Sequence, residues 1–104
     1  MNQRIIKFRA WDKLAKKMYQ NISISFPWTS PDLIPMQFTG LTDKNGEEIY
    51  EGDIVDEWYD FDLYVVEYPN RLQGITKKRQ NHSLTPCLVA VIGNIYENPE
   101  LIQP

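Results

Sequence analysis

The chain is poor in the residues on which most compact chemistry depends. It holds one cysteine, Cys87, and one histidine, His82, among 104 residues. A lone cysteine makes no internal disulfide and no CxxC pair for zinc. Followed by LVAVI, Cys87 is expected to be a buried, inert thiol. A lone histidine means that any Ser-His-Asp or Cys-His catalysis has to run through His82. His82 stands between Asn81 and Ser83 in a polar run, and Pro86 separates it from Cys87, so a solvated loop histidine is expected. No apolar run approaches the ~20 residues of a membrane helix. The opening MNQRIIKFRAWDK carries charges inside its apolar stretch and has no small-residue cleavage site, so it is not read as a signal peptide. The spacings G-x-x-x-x-G-K-[ST], G-x-G-x-x-G and H-E-x-x-H do not occur, which leaves nucleotide cofactors and zinc-hydrolase chemistry without support. These gaps together predict a soluble, cytoplasmic protein with no cofactor.

Aromatics, by contrast, are plentiful: three Trp, six Tyr and four Phe. Each large ring can bury about 150–250 Å², so the rings are expected to dominate the core of a single domain spanning residues 1–104. The net charge is -3, but the charge is segmented. Met1 to Met18 holds Arg4, Lys7, Arg9, Lys13, Lys16 and Lys17 against Asp12, whereas Asp43 to Glu67 is almost wholly acidic, and Arg71 to Arg79 is basic again. Such segments neutralise one another when they lie side by side; a shared basic face for nucleic acid is the sharper alternative.

Local pattern reads mainly as strands and turns. RIIKFRAW (4–11) and MYQNISISF (18–26) predict a hairpin, with Ile6, Phe8 and Ala10 on one face. PWTSPDLIP (27–35) predicts a loop, because proline lacks an N–H, and MQFTG (36–40) a short strand. In TDKNGEEIY, Asn45-Gly46 predicts a two-residue type I′ turn, and Glu51-Gly52 a second bend that releases a strand from Asp53 to about Trp58. FDLYVVEY (61–68) predicts a strand, residues 69–85 a long mobile loop, and CLVAVIGNI (87–95) a central strand, with Gly93 as a further turn residue. Asn98, Pro99 and Glu100 stand in the order of a short helix start. The expected core is Ile6, Phe8, Met36, Phe38, Ile49, Ile54, Val65, Leu88, Ala90, Ile92 and Ile95. The expected fold is therefore mainly β: a small, partly open barrel or sandwich with SH3-like elements and a short C-terminal helix.

Two constellations merit a chemical reading. The acids Asp43, Glu47, Glu48, Glu51, Asp53, Asp56, Glu57, Asp60 and Asp62 offer hard oxygen ligands, but Asp43-Lys44-Asn45-Gly46 reaches glycine too early for a calcium loop. A charged strand edge that discourages intermolecular pairing is the preferred reading, with a two-carboxylate or metal-dependent hydrolase as an alternative. Arg4, Lys7, Arg9, Lys77, Lys78 and Arg79, with Trp11, are the candidate nucleic-acid contacts, since cations bind phosphate and a ring stacks a base. The alternative is that their stems cover apolar surface while their heads stay wet.

Three blocks, RIIKFRAWDKLAKKMY, MQFTGLTDKNGEEIYEGDIV and VIGNIYENPELI, resemble the YopX family of small phage and prophage proteins. The resemblance implies a β-rich gene product of a phage in a bacterial host. It implies no activity, because the family is a domain of unknown function without established catalytic residues. The lead expectation is a non-enzymatic accessory factor that binds a macromolecule, foremost a protein. A nucleic-acid-associated factor in replication or regulation and the hydrolase above are the alternatives. Self-association through open sheet edges and surplus aromatics (Trp11, Trp28, Trp58, Tyr59) stands against the alternative that Trp58 and Tyr59 merely cover a core end.

Overall fold

The structure, a computed structural model, describes residues 6–22, 30–57, 62–75 and 82–102. Its first hairpin joins β1 (Phe8–Asp12) to β2 (Lys17–Ile22). Asp12 shapes the connection: its Oδ1 accepts the Leu14 and Ala15 N–H groups at 2.9 and 3.0 Å, so the side chain stands in for a turn carbonyl. β3 (Leu33–Thr42) pairs antiparallel with β1 and then with the short β4 (Glu48–Tyr50). Pro35 thus lies inside a strand where a loop was expected. The Phe38 N–H bonds Lys7 across the ladder, while the Gln37 N–H points the other way, to Glu51. Pro35 shares the phase of Gln37, so its missing N–H removes nothing from the β1–β3 ladder.

β5 (Asp53–Glu57), β6 (Asp62–Glu67), β7 (Arg71–Gly74), β8 (His82–Ser83) and β9 (Val89–Asn94) form a second sheet. The strand orders are β2-β1-β3-β4 and β8-β7-β6-β5-β9. The architecture is mainly β, two antiparallel sheets with one half-barrel. The C-terminal helix does not form; Pro99–Leu101 is a single 3-10 turn. Asn98 supplies no cap there, because its Oδ1 instead accepts the Asn94 N–H at 3.2 Å. No helix among the described residues is long and apolar enough to cross a membrane.

Two turns order the centre of the chain. The DKNG turn is not the two-residue type I′ form. Only Gly46 has a positive φ, at 84°, while its N–H closes on the Asp43 carbonyl and the Asp43 N–H bonds Glu47 O. This is a three-residue hairpin loop with glycine in the left-handed position. The Glu51-Gly52 bend forms as expected, with Gly52 at φ 85°. Its N–H bonds Val66 O and its carbonyl accepts the Ile95 N–H, which fastens the corner to β6 and to the end of β9.

The main core gathers Ile49, Val55, Tyr64, Val66, Leu72, Leu84 and Val89. A second cluster of Met36, Phe38 and Tyr50 packs with Met18 and Tyr96. Met36, Phe38, Ile49 and Ile54 are buried as expected. The β6 face is the opposite one: Tyr64 and Val66 are inside and Val65 is half-buried. Ile6 is exposed and Phe8 half-buried, while Arg9 and Ala10 are buried. β9 is an edge strand, so Ala90 is half-buried and Ile92 exposed; Leu88 and Ile95 are half-buried on its flanks. Gly93 lies in β9 beside a register shift, with the Asn98 side chain against it, and is no turn. Cys87 is exposed, because Pro86–Leu88 is a 3-10 turn ahead of β9. The expected 69–85 loop contains β7 and β8, and His82 pairs with Leu72. Trp28, Trp58, Tyr59 and Asp60 lie outside the described residues.

Candidate functional site

The acidic segment is spread through the fold, with separate tasks for its side chains. Asp43 Oδ1 accepts the Asn45 and Glu47 N–H groups at 2.8 and 2.9 Å, and its Oδ2 accepts the Val91 N–H at 2.8 Å. Burial would raise this carboxyl, but the three backbone donors outweigh it and the pKa is lowered. Because Lys44 N–H also bonds Val89 O at 3.1 Å, the DKNG turn covers the outer edge of β9. The edge is thus protected by a loop. Glu48 pairs with Lys7 and accepts the Tyr50 hydroxyl. Burial and Glu48 together push the Tyr50 phenol up to about 12. Among the described residues, no group of three or more His, Cys, Asp or Glu is arranged to hold a metal.

The basic candidates are dispersed too. Arg9 is buried, and its guanidinium pairs with the fully buried Asp53 and lies 4.5 Å from the centre of the Tyr50 ring. Lys7 pairs with Glu48 and sits 4.8 Å from the centre of the Phe38 ring. Both cations are therefore engaged by carboxylates and rings of their own chain. Arg4, Lys77, Lys78 and Arg79 lie outside the described residues. Of the turn positions, Asn45, Gly46, Glu51 and Gly52 do reverse the backbone.

The structure brings a different set together. A cleft of about 550 Å³ opens between the two sheets around the Gly52 corner. Its apolar floor includes Met36, Val66 and Ile95, and its polar wall Glu51, Glu67, Arg71 and Gln73; Tyr68 and Tyr96 contribute rings. The walls are held in place from behind. Glu51 N–H bonds Gln37 O, and Glu51 Oε1 accepts the Gln37 N–H, both at 2.9 Å. Asn94 Oδ1 accepts the Tyr96 and Glu97 N–H groups at 3.0 and 2.8 Å, which turns the chain after β9 so that Tyr96 faces the cleft. Trp11 stacks behind Tyr96 with ring centres 6.4 Å apart. Burial, and then the Glu51 charge, raise the Tyr96 phenol; both side chains belong to the cleft lining. Sequence reading missed this site because its members come from β3, the Gly52 corner, β6, β7 and the segment after β9. The one legible sign was the Glu51-Gly52 bend itself.

Comparison with known proteins adds two findings. The family model described as "YopX protein" matches residues 27–103. The crystal structure of protein EF1440 from Enterococcus faecalis is similar, with a TM-score of 0.65 and 26% identity, over 97% of this chain and 100% of that one. No curated protein matches the sequence.

Proposed function

The chain belongs to the YopX family, and from that premise we propose that it is a non-enzymatic accessory protein, encoded by a phage or prophage, that binds another protein in the bacterial cytoplasm through the cleft at Gly52. The carrying observation is the make-up of that cleft. It combines an apolar floor with a few anchored polar groups, the composition by which sites fix an incoming side chain or segment. Among the described residues its lining holds no serine, cysteine, histidine or lysine to serve as an activated nucleophile. The engagement of Lys7 and Arg9 inside the chain favours a protein partner over nucleic acid.

Site-specific photo-cross-linking tests the reading. A photoreactive residue replaces Gln73 in the cleft, and in a control Lys13 in the β1–β2 turn, in cells carrying the phage. A discrete adduct from position 73 alone, removed by protease and resistant to nuclease, is the expected result. A nuclease-sensitive adduct, or equal labelling from both positions, overturns it.

A further inference from the structure

Twice among the described residues a ring and a carboxylate hold a cation between them. Arg9 lies over Tyr50 and pairs with Asp53; Lys7 lies over Phe38 and pairs with Glu48. The cleft repeats the ring and the carboxylate without the cation. Tyr96 and Glu51 both line the cleft, and a Cβ on Gly52, the residue after Glu51, would lie 3.7 Å from the Tyr96 ring; among the described residues neither has a cationic partner. Arg71, the one cation among the described lining residues, is the cross-strand partner of Glu67 in the β6–β7 ladder. The described lining residues thus keep one negative charge in excess: two glutamates against one arginine.

Resting on the binding role assigned above, we propose that the cleft seats an arginine side chain of the partner protein, its guanidinium over the Tyr96 ring and bonded to Glu51. A flat guanidinium suits this wall better than an ammonium, because it stacks on a ring and still presents an edge of N–H donors to a carboxylate. The Glu51 carboxylate is already oriented by Gln37, and the Tyr96 ring is backed by Trp11. Both groups are held before the ligand arrives, which lowers the ordering cost of binding.

The test is an NMR titration of the full chain with three N-acetyl amides: of arginine, of lysine and of citrulline, the neutral isostere of arginine. Arginine amide is expected to shift the Gly52 and Tyr96 backbone resonances saturably, with a dissociation constant on the order of millimolar, as suits one cation–π contact plus one charge-assisted pair. Lysine amide binds several-fold more weakly, and citrulline amide gives no saturable shift. Glu51→Gln keeps an acceptor for the Gln37 N–H, so the fold holds, yet arginine affinity falls about tenfold. Arg71→Ala removes the competing cation and tightens binding several-fold, an effect that a purely structural role for Arg71 would not produce. Equal shifts with citrulline, or unchanged affinity in Glu51→Gln, overturn the arginine site. A protein adduct at position 73 in that case leaves the broader reading standing, whereas loss of both removes it as well.

Discussion

Arg9 and Asp53 meet inside the molecule and join β1 of one sheet to β5 of the other. Asp53 spends its second oxygen on the Tyr50 N–H at 2.8 Å, at the corner where the chain passes between the sheets. Arg9 Nε is buried without a hydrogen-bond partner among the described residues. A buried pair with one donor left over specifies position more than it adds stability, because desolvation consumes most of the Coulombic gain.

Removing one member should therefore be far worse than removing both. Arg9→Met leaves a buried carboxylate alone and is expected to cost about 3–5 kcal/mol in urea unfolding. Arg9→Met combined with Asp53→Asn keeps an acceptor for the Tyr50 N–H and should recover more than half of that loss. Additive losses in the double variant would show that the two residues do not act as a pair.

The same carboxylate sets a pH dependence. Burial lifts Asp53 from 3.8 to about 6, against the pull of Arg9 and of the Tyr50 N–H. The folded state then keeps a proton that the unfolded chain has already released between those values. Its contribution to stability is present below about pH 4 and is lost as pH rises through 6; above that, both states are ionised and it is flat. Asp43 runs the other way: its lowered pKa contributes stability above 3.8 that is lost as pH falls below. Urea midpoints measured from pH 4 to pH 7 should decline toward pH 6 in the native chain. Asp53→Asn should flatten that decline, and a superimposable pH profile for the variant refutes the assignment.

Asp43 tests how the DKNG turn is held on β9. Asp43→Ala frees three N–H groups and is expected to cost about 2–3 kcal/mol, in the range of hydrogen bonds to a charged acceptor. Amide hydrogen exchange reads it directly. The Val91 N–H should lose protection by more than the global loss of stability accounts for, and Asp43→Asn, with one acceptor oxygen, should fall between. Unaltered relative protection at Val91 would detach the turn from the strand.

Cys87 offers a simple check on the β9 approach. The native chain should react with a thiol reagent at one equivalent without denaturant, because the 3-10 turn presents the side chain to water. Labelling only after unfolding would put Cys87 inside a strand.

That difference shows which features were legible. Glycine at a reversal is read locally, so the Gly46 and Gly52 bends, the strands around them and the mainly β class emerge from pattern alone. The buried face of β6 does not, because Leu63 and Val65 are as apolar as Tyr64 and Val66, and only packing against Leu72 and Ile49 chooses between them. A run as apolar as LVAVI reads as central; at an edge it is tolerated because the Asp43 turn covers its open side. Arg9 looked like a surface cation because the groups that bury it, Tyr50 and Asp53, stand more than forty residues away along the chain. The cleft was invisible for the same reason: no local pattern places Tyr96 beside Glu51.

Gly46 and Gly52 share a left-handed φ, 84° and 85°, but not their surroundings. A Cβ on Gly46 would meet nothing within 4 Å, whereas one on Gly52 would lie 2.9 Å from Met36 Cε. Gly46→Ala should therefore cost only the backbone penalty, about 1 kcal/mol. Gly52→Ala adds displacement of the buried Met36 tip and should cost about 2 kcal/mol. It should also alter the cleft floor, so that arginine amide binds more weakly to Gly52→Ala while Gly46→Ala binds as the native chain does. Equal stability losses would mean that Met36 yields freely. Equal binding by both variants would mean that the Gly52 corner does not shape the site.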